Sequence, residues 1–482
     1  MNQRFLFSLY SPRYPESIIY MLQASEYQGR AYLKWLWRVK DFSLVQHRQS
    51  LKRTRKAKLL LLALLAGMGL EILAGLGLII FGIVSLNNAD WSWPAGVFLL
   101  LAYPLIWPHL IVIPLEIGRA VFVLPNERRL IKAADQVFAD HSGVKIAVAG
   151  SYGKTSMKEL LKTVLSEGKK VAATPANKNV SVEHAKFASR LNGKEDVLII
   201  EYGEGAPGDV KRFVSYTHPS YGIITGVAPA HLDKYKTLKA AGEDIFTLAG
   251  SLTGNNIFVN GDSDGAKSFI KPDYQVYGHK GLGMWKAEEV TLDTKGLSFN
   301  LINGKTTLHL HSHLLGRHQI GPLSACAVIA LELGMSKPQI EKAVSKTKPF
   351  EHRMQPYELG GALIIDDTYN GNIDGIKAGT ELLKELAAKR KIYITPGLVE
   401  QGEETGKIHR LMGEYIATAK PDIVVLMSNS ATGYIKDGLK EAGFKGEVQE
   451  VKDPLTFYKS LDLFVAEGDL VLMQNDWTDN YA

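Results

Sequence analysis

The sequence has almost no cysteine: Cys326 is the only one in 482 residues. One thiol excludes an internal disulfide and any zinc site built on cysteines, and it fits a reducing compartment. Internal repeats and low-complexity segments are also missing, which leaves a chain of ordinary domains. Neither charge sign dominates, since 56 basic residues against 50 acidic ones give a net charge of +6. The placement of that small excess argues against a nucleic-acid partner. Arg30, Lys34, Arg38, Lys40, Arg48, Lys52, Arg53, Arg55, Lys56 and Lys58 crowd beside the most apolar stretch of the chain. Bases in that position read as a cytoplasmic membrane flank. Hydrophobic residues make up 46% and charged residues 22%, so most of the chain is expected to fold in water, as two to four domains.

Residues 59 to 86 contain one ionisable side chain, Glu71. A run of that length is enough to span a bilayer, and it starts too late for a cleaved signal peptide. A second apolar run, from Ala95 to about Ile117, is interrupted by Pro104, Pro108 and Pro114, and Trp91, Trp93 and Trp107 suit an interfacial belt. This run reads as a second span or as a re-entrant helix. Bases flank both outer ends (Lys52 to Lys58; Arg119, Arg128, Arg129, Lys132), and the short loop between has none. The positive-inside rule then predicts a hairpin in the cytoplasmic membrane with two spans, both ends and the soluble part lying on the cytoplasmic side. Glu71 reads either as a helix-packing residue or as a functional intramembrane group. Residues 17 to 50 are expected to be helical, with an interfacial amphipathic character.

From Gly143 onward, short β-rich runs alternate with helical stretches, which predicts an α/β domain with a largely parallel sheet. Residues 286 to 312 read as a small β insertion, and a helix is expected from about Pro322 to Leu333. A second α/β pattern opens near Glu358 with ALIIDDT and ends with DLVLMQN. The expected organisation is a basic amphipathic helical segment (1–56), a transmembrane helical hairpin (57–135), a P-loop ATP-binding domain (140–348) and a Rossmann-like C-terminal domain (350–482).

The sharpest local signal is AVAGSYGKTSMKELL. A strand, a Gly-rich turn and a helix form an anion cradle, because backbone N–H groups and the helix N-terminus point at phosphate. Gly150, Ser151, Gly153 and Ser156 would line that cradle for ATP. Lys154 would reach the β- and γ-phosphates, and the Thr155 hydroxyl would bind Mg²⁺. The usual first glycine of a Walker loop is replaced by Val148, so the loop is a shorter form.

GSYGKT resembles the nucleotide loop of the Mur ligase family, and further matches follow in order. TPANKN at 174–179, IIEYGEGAPGDV, GIITGVAPAHLDKY, LLGRHQIGPLSACAVIA, FEHRMQPY, IIDDTYNGNIDGIKAGTELL and GEETGKIHRLMGEYI are similar to that family's MurF branch, which adds D-alanyl-D-alanine. The resemblance covers roughly residues 143 to 475. It implies an ATP-dependent, amide-forming ligase that works through an acyl phosphate on peptidoglycan precursors. It also implies that Glu201 and His231 hold Mg²⁺ with Thr155, and that Arg353 and Asp367 approach the γ-phosphate and ribose of ATP. Gln319 would sit on the adenine side, and Asn177, Asn179, Tyr369, Asn370 and Asn372 would meet the substrates. Asp366 shares that last turn, where plain turn chemistry is the competing reading. His409 reads as structural.

Four departures from the pattern stand out. Ala241 falls where the family carries a carbamylated lysine, and Lys239 is close but out of helical phase. The adenine-side Asn-x-x-Asn becomes Gln319 and Pro322, and the C-terminal Lys-Gly-Ser becomes LMQNDWTDNYA. The basic segment and hairpin stand where relatives that use UDP-linked muropeptides carry a UDP-sugar domain. The carboxylate partner is therefore expected to be muropeptide-like and presented at the membrane on a lipid, with an amino acid or dipeptide as the amine. Two readings compete: a membrane ligase making another amide polymer such as poly-γ-glutamate, and a non-catalytic nucleotide-binding scaffold.

Overall fold

The computed structural model describes residues 3–46, 49–84, 91–229, 232–369, 371–399 and 401–476. Among these residues two compact units emerge, one within 3–126 and one within 127–476.

The first unit is helical among its described residues. Helices Arg55–Val84 and Ser92–Leu110 lie side by side. Arg55–Val84 and the longer helical stretch Ser92–Asp140 are long and apolar enough to cross a membrane, by length and composition. Small residues set their contact. A Cβ on Gly96 would come within 2.4 Å of the Gly75 carbonyl oxygen, one on Gly67 would strike the Trp107 ring, and one on Gly82 would meet Ser92 Oγ. Small-residue contacts of this kind let two apolar helices approach until their backbones touch. Glu71 lies in the same seam: its Oε2 accepts a 2.5 Å hydrogen bond from Trp107 Nε1, and its Oε1 is buried without a hydrogen bond.

The stretch expected to be one amphipathic helix over 17–50 is instead broken. Helices Tyr14–Ala24 and Gly29–Leu36 are separated by Glu26 and Tyr27, whose φ angles of 51° and 58° no helix tolerates, and the 3-10 turn Phe42–Leu44 follows. Its apolar side is buried against protein, because Ile18, Ile19, Met21, Leu22 and Tyr32 form one core with Leu64, Met68, Ile111 and Leu115. A backbone defect is repaired in this packing. Pro108 has no N–H to give the Pro104 carbonyl one helical turn back, and the Tyr14 hydroxyl donates to that carbonyl instead, at 2.5 Å. The Tyr10 and Tyr32 hydroxyls also donate to carbonyls of that helix, those of Leu101 and Pro108.

The second unit contains two sheets. The larger has ten strands in the order β10-β9-β8-β7-β6-β5-β4-β1-β3-β2. Its parallel part is β1 (Val144–Ala149), β2 (Val171–Ala173), β3 (Val197–Glu201), β4 (Tyr221–Ile224), β5 (Ile257–Asn260) and β6 (Gln275–Gly278). The antiparallel part is β7 (Gly281–Leu282), β8 (Trp285–Asp293), β9 (Gly296–Asn303) and β10 (Thr306–Ser312). The segment read as a β insertion therefore extends the parallel sheet through β7. Alternation along β1 sends Ile146 and Val148 into a core with Met157, Leu161 and Cys326, and Ala147 and Ala149 into the opposite core with Ile200, Val210 and Phe213. Both faces are covered, as a parallel sheet requires.

The smaller sheet is β11-β12-β16-β13-β14-β15, with β11 (Gln355–Leu359) antiparallel at one edge. The rest are parallel: β12 (Ala362–Asp367), β13 (Arg390–Thr395), β14 (Ile423–Met427), β15 (Glu447–Val451) and β16 (Asp469–Gln474). Sequence patterning misses β15, because EVQEV is an edge strand whose side chains are mostly exposed. Periodicity needs a buried face to show itself.

Replacing Gly96 by leucine is expected to overpack the helix seam and cost about 1–3 kcal/mol. Gly69→Leu is the control, since nothing lies within 4 Å of a Cβ there. Thermal unfolding in detergent should show Gly96→Leu melting well below both wild type and Gly69→Leu.

Candidate active site

The parallel pairing of β1 with β3 on one side and β4 on the other puts three strand ends around one loop. The loop leaves β1 at Gly150, whose φ of 140° and 2.3 Å approach of a would-be Cβ to Thr225 Oγ1 admit only glycine. Thr225, just past β4, donates to the carbonyls of Ala149 and Tyr152, and Ser151 N–H donates to the Gly226 carbonyl. The loop is thereby tied down before helix Lys154–Leu165 begins, with Gly153 left-handed at its N-terminus.

Most side-chain polar atoms at that junction are paired. Lys154 Nζ folds over its own loop, donating to the Gly150 carbonyl (2.5 Å) and to Glu204 Oε2 (2.7 Å). Thr155 Oγ1 donates to Glu201 Oε1 at 2.9 Å, and Asn179 Nδ2 donates to the same oxygen at 3.1 Å. Glu201 Oε2 is buried and accepts no hydrogen bond, although Lys158 Nζ stands 3.3 Å away. Lys158 is itself fully buried, with the Ala176 carbonyl and Glu159 as its other partners. His184 bonds the Glu201 carbonyl through Nε2 and Tyr216 through Nδ1, and burial lowers it to about 4, so it stays a neutral prop. A buried carboxylate beside a hydroxyl, with one oxygen held by an ion pair and no hydrogen bond, has the donor chemistry of a hard divalent cation site. The residues present thus fit Mg²⁺.

The smaller sheet supplies the opposite wall. Arg353 Nη1 donates to Ser156 Oγ at 3.3 Å, and its guanidinium lies over the Tyr369 ring, 4.6 Å from the centroid. Asn177 Nδ2 donates to the Tyr369 hydroxyl at 2.9 Å. Arg317 and Glu385 form a two-pronged ion pair farther along. Asp367 accepts from Met354 N–H and from Gln474 Nε2, and burial raises it to about 7.

Of the residues singled out in the sequence, Gly150, Ser151, Gly153, Lys154, Thr155, Ser156, Asn177, Asn179, Glu201, Arg353 and Tyr369 gather around this junction. His231 and Asn370 lie outside the described residues. Asn372 caps helix Ile373–Glu385, its Oδ1 accepting from Asp374 and Gly375 N–H, so that oxygen is committed to the turn. Gln319 Nε2 bonds His318, a buried neutral imidazole. His409 accepts from Leu398 N–H through Nε2, with Nδ1 on the Thr405 carbonyl, as a structural residue does. Ala241 is buried on helix Leu238–Ile245, whereas Lys239 faces solvent beside Glu243. Sequence reasoning passed over Glu204, Lys158 and His184. The first two stand three residues after Glu201 and four after Lys154, offsets that could have flagged them.

Comparison with known proteins decides the family. Residues 148–332 match the Mur ligase middle domain, and residues 352–474 match the glutamate ligase domain of Mur ligases. The chain belongs to the Mur ligase family. It is an ATP-dependent peptide ligase. This Mur ligase is 25% identical over 397 residues to the UDP-N-acetylmuramoyl-tripeptide–D-alanyl-D-alanine ligase of Mycobacterium leprae, covering 74% of this chain and 75% of that one. It is also 25% identical over 333 residues to the Escherichia coli enzyme of the same name, covering 68% and 72%. Among solved structures, MurF ligase from Thermotoga maritima in complex with ADP superposes with a TM-score of 0.64 at 23% identity, covering 73% of this chain and 80% of that one. A pseudomurein peptide ligase type C from Methanothermus fervidus shares the fold, with a TM-score of 0.56 at 19% identity over 72% and 79% of the two chains.

The raised Asp367 has a stability consequence with a definite sign. A carboxyl whose folded value lies above its unfolded one contributes fully below pH 4, and that contribution is lost as pH rises through 7. Asp367→Asn should therefore gain stability relative to wild type on going from pH 5 to pH 8, read as the difference in urea midpoints. His184, neutral in both folded proteins over this window, contributes equally to each and cancels in the difference.

Proposed function

We propose that this ligase forms an amide on a peptidoglycan precursor at the cytoplasmic face of the membrane. The carboxylate would be that of a lipid-presented muropeptide and the amine that of D-alanyl-D-alanine or a similar dipeptide. What carries the reading is the convergence of Lys154, Thr155, Glu201 and Asn177 from one sheet on Arg353 and Tyr369 from the other.

The substrate carboxylate attacks the γ-phosphate, giving an acyl phosphate and ADP, and the amine then displaces phosphate. Lys154 and the loop N–H groups hold the phosphates, as the loop geometry supports. Arg353 supplies positive charge as negative charge spreads over the transferring group, with the Tyr369 face holding its guanidinium flat. Thr155 and Glu201, with His231 by resemblance, would hold Mg²⁺, which supplies charge neutralisation on the phosphate oxygens. Asp367 and Gln319 are assigned to the ribose and adenine sides. Asn177 and Asn179 bracket the carboxylate side with Tyr369, and Asn370 and Asn372 belong to the facing turn.

Membrane placement is supported by the two apolar helices and the bases at their outer ends. The test is ADP release and mass detection of the amide. The arms are soluble UDP-muropeptide with D-alanyl-D-alanine, lipid-linked muropeptide in vesicles, and glutamate alone. Wild type should favour the lipid-linked arm about tenfold or more, on the order of the 1.4 kcal/mol per decade of a single lost contact. Full activity on the soluble muropeptide by a variant lacking residues 1–126 would overturn membrane presentation, and turnover with glutamate alone would favour an amide-polymer ligase. ATP binding with no turnover in any arm would favour a scaffold.

A further inference from the structure

Glu204 presents a problem of charge. Its side chain is buried, and it sits three residues beyond Glu201 at the end of β3. Its hydrogen-bonded cation is Lys154, at 2.7 Å. The same Lys154 is the group that the loop directs at phosphate. When phosphate takes up that ammonium, a buried carboxylate is left next to a polyanion. Such an arrangement is strongly disfavoured unless another cation stands between them.

The neighbouring geometry shows where that cation belongs. Glu201 and Glu204 converge on adjacent residues, Thr155 and Lys154. Glu201 Oε2, at 1% exposure, accepts no hydrogen bond. Lys158 Nζ stands 3.3 Å from that oxygen and is shared with Glu159 and the Ala176 carbonyl, and none of these contacts reaches Glu204. Helix Leu238–Ile245 turns buried Ala241 and Asp244 inward, and Asp244 is occupied by Gly208 N–H and the Tyr235 hydroxyl, so that helix offers the junction no free carboxylate.

We propose that Glu204 exchanges partners during the cycle: it pairs with Lys154 when nucleotide is absent, and it becomes a carboxylate ligand of a divalent cation, with Glu201 and Thr155, when phosphate claims the lysine. The inference rests on the Mg²⁺ reading of the site and names a ligand that reading does not include. Each state satisfies both charges. The lysine is never left unpaired beside a carbonyl, and the carboxylate is never left beside phosphate alone.

The test uses the full-length protein in detergent, the non-hydrolysable analogue AMP-PNP, and Mn²⁺ followed by electron paramagnetic resonance. Glu204→Gln keeps the shape and removes the charge, and Glu204→Asp keeps the charge. With AMP-PNP saturating, Glu204→Gln should weaken Mn²⁺ binding about tenfold or more, and Glu204→Asp should restore part of it. Without metal, Glu204→Gln should bind AMP-PNP at least as tightly as wild type, because the lysine is already released. Unchanged Mn²⁺ binding in Glu204→Gln, alongside tighter metal-free nucleotide binding, would overturn the proposal and leave Glu204 as a lock on Lys154 only. Wild type that binds AMP-PNP but no Mn²⁺ would instead remove the cation reading of Thr155 and Glu201, and this proposal with it. Circular dichroism of both variants separates either result from misfolding.

Discussion

The placement of β1 between β3 and β4 is the constraint on which the active site depends. A strand with parallel neighbours on both sides ends level with them, and the loops that follow must share one crevice. Here the glycine loop follows β1, the Glu201–Glu204 segment follows β3, and Thr225 follows β4. No side chain has to reach far. Lys154, Thr155, Glu201 and Glu204 meet because three hydrogen-bonded strands stop together, and their spacing is as stiff as the sheet itself. The opposite wall comes from a second sheet, joined by the polar contacts Asn177–Tyr369 and Arg353–Ser156, by the Arg317–Glu385 ion pair and by Leu315 packed into that sheet's core. An active site walled by two sheets suits a reaction that must admit three substrates and then exclude water.

Much of this was legible in the sequence, for a physical reason. The loop had to contain glycines at fixed positions, and buried parallel strands such as VLIIE and IVVLM are apolar throughout. Ordered motifs then located Lys154, Thr155, Glu201, Arg353 and Tyr369. Partnerships were harder to see. That Glu204 neutralises Lys154, or that His184 props the Glu201 carbonyl, follows from three-dimensional approach and not from any pattern along the chain. The edge strand Glu447–Val451 was hidden because it buries little, and Asn372 looked like a substrate residue although its oxygen is a helix cap.

The helical unit departs furthest from its sequence reading. A basic, aromatic stretch invites the idea of a helix lying on a surface. The structure instead folds that stretch at Glu26 and Tyr27 and buries its apolar side against the apolar helices. Hydropathy reports how much apolar area must be covered, but it does not distinguish lipid from protein as the cover.

One consequence concerns modularity. The Pro104 carbonyl, left without its helical donor by Pro108, is answered by a hydroxyl from Tyr14, ninety residues earlier in the chain. Excised and fused to another protein, residues 55–118 would keep their length and their greasiness but lose that donor. The two long helices are therefore not a portable tether. They are the later half of a small domain whose first half leaves the ribosome before them and has to wait for its partner.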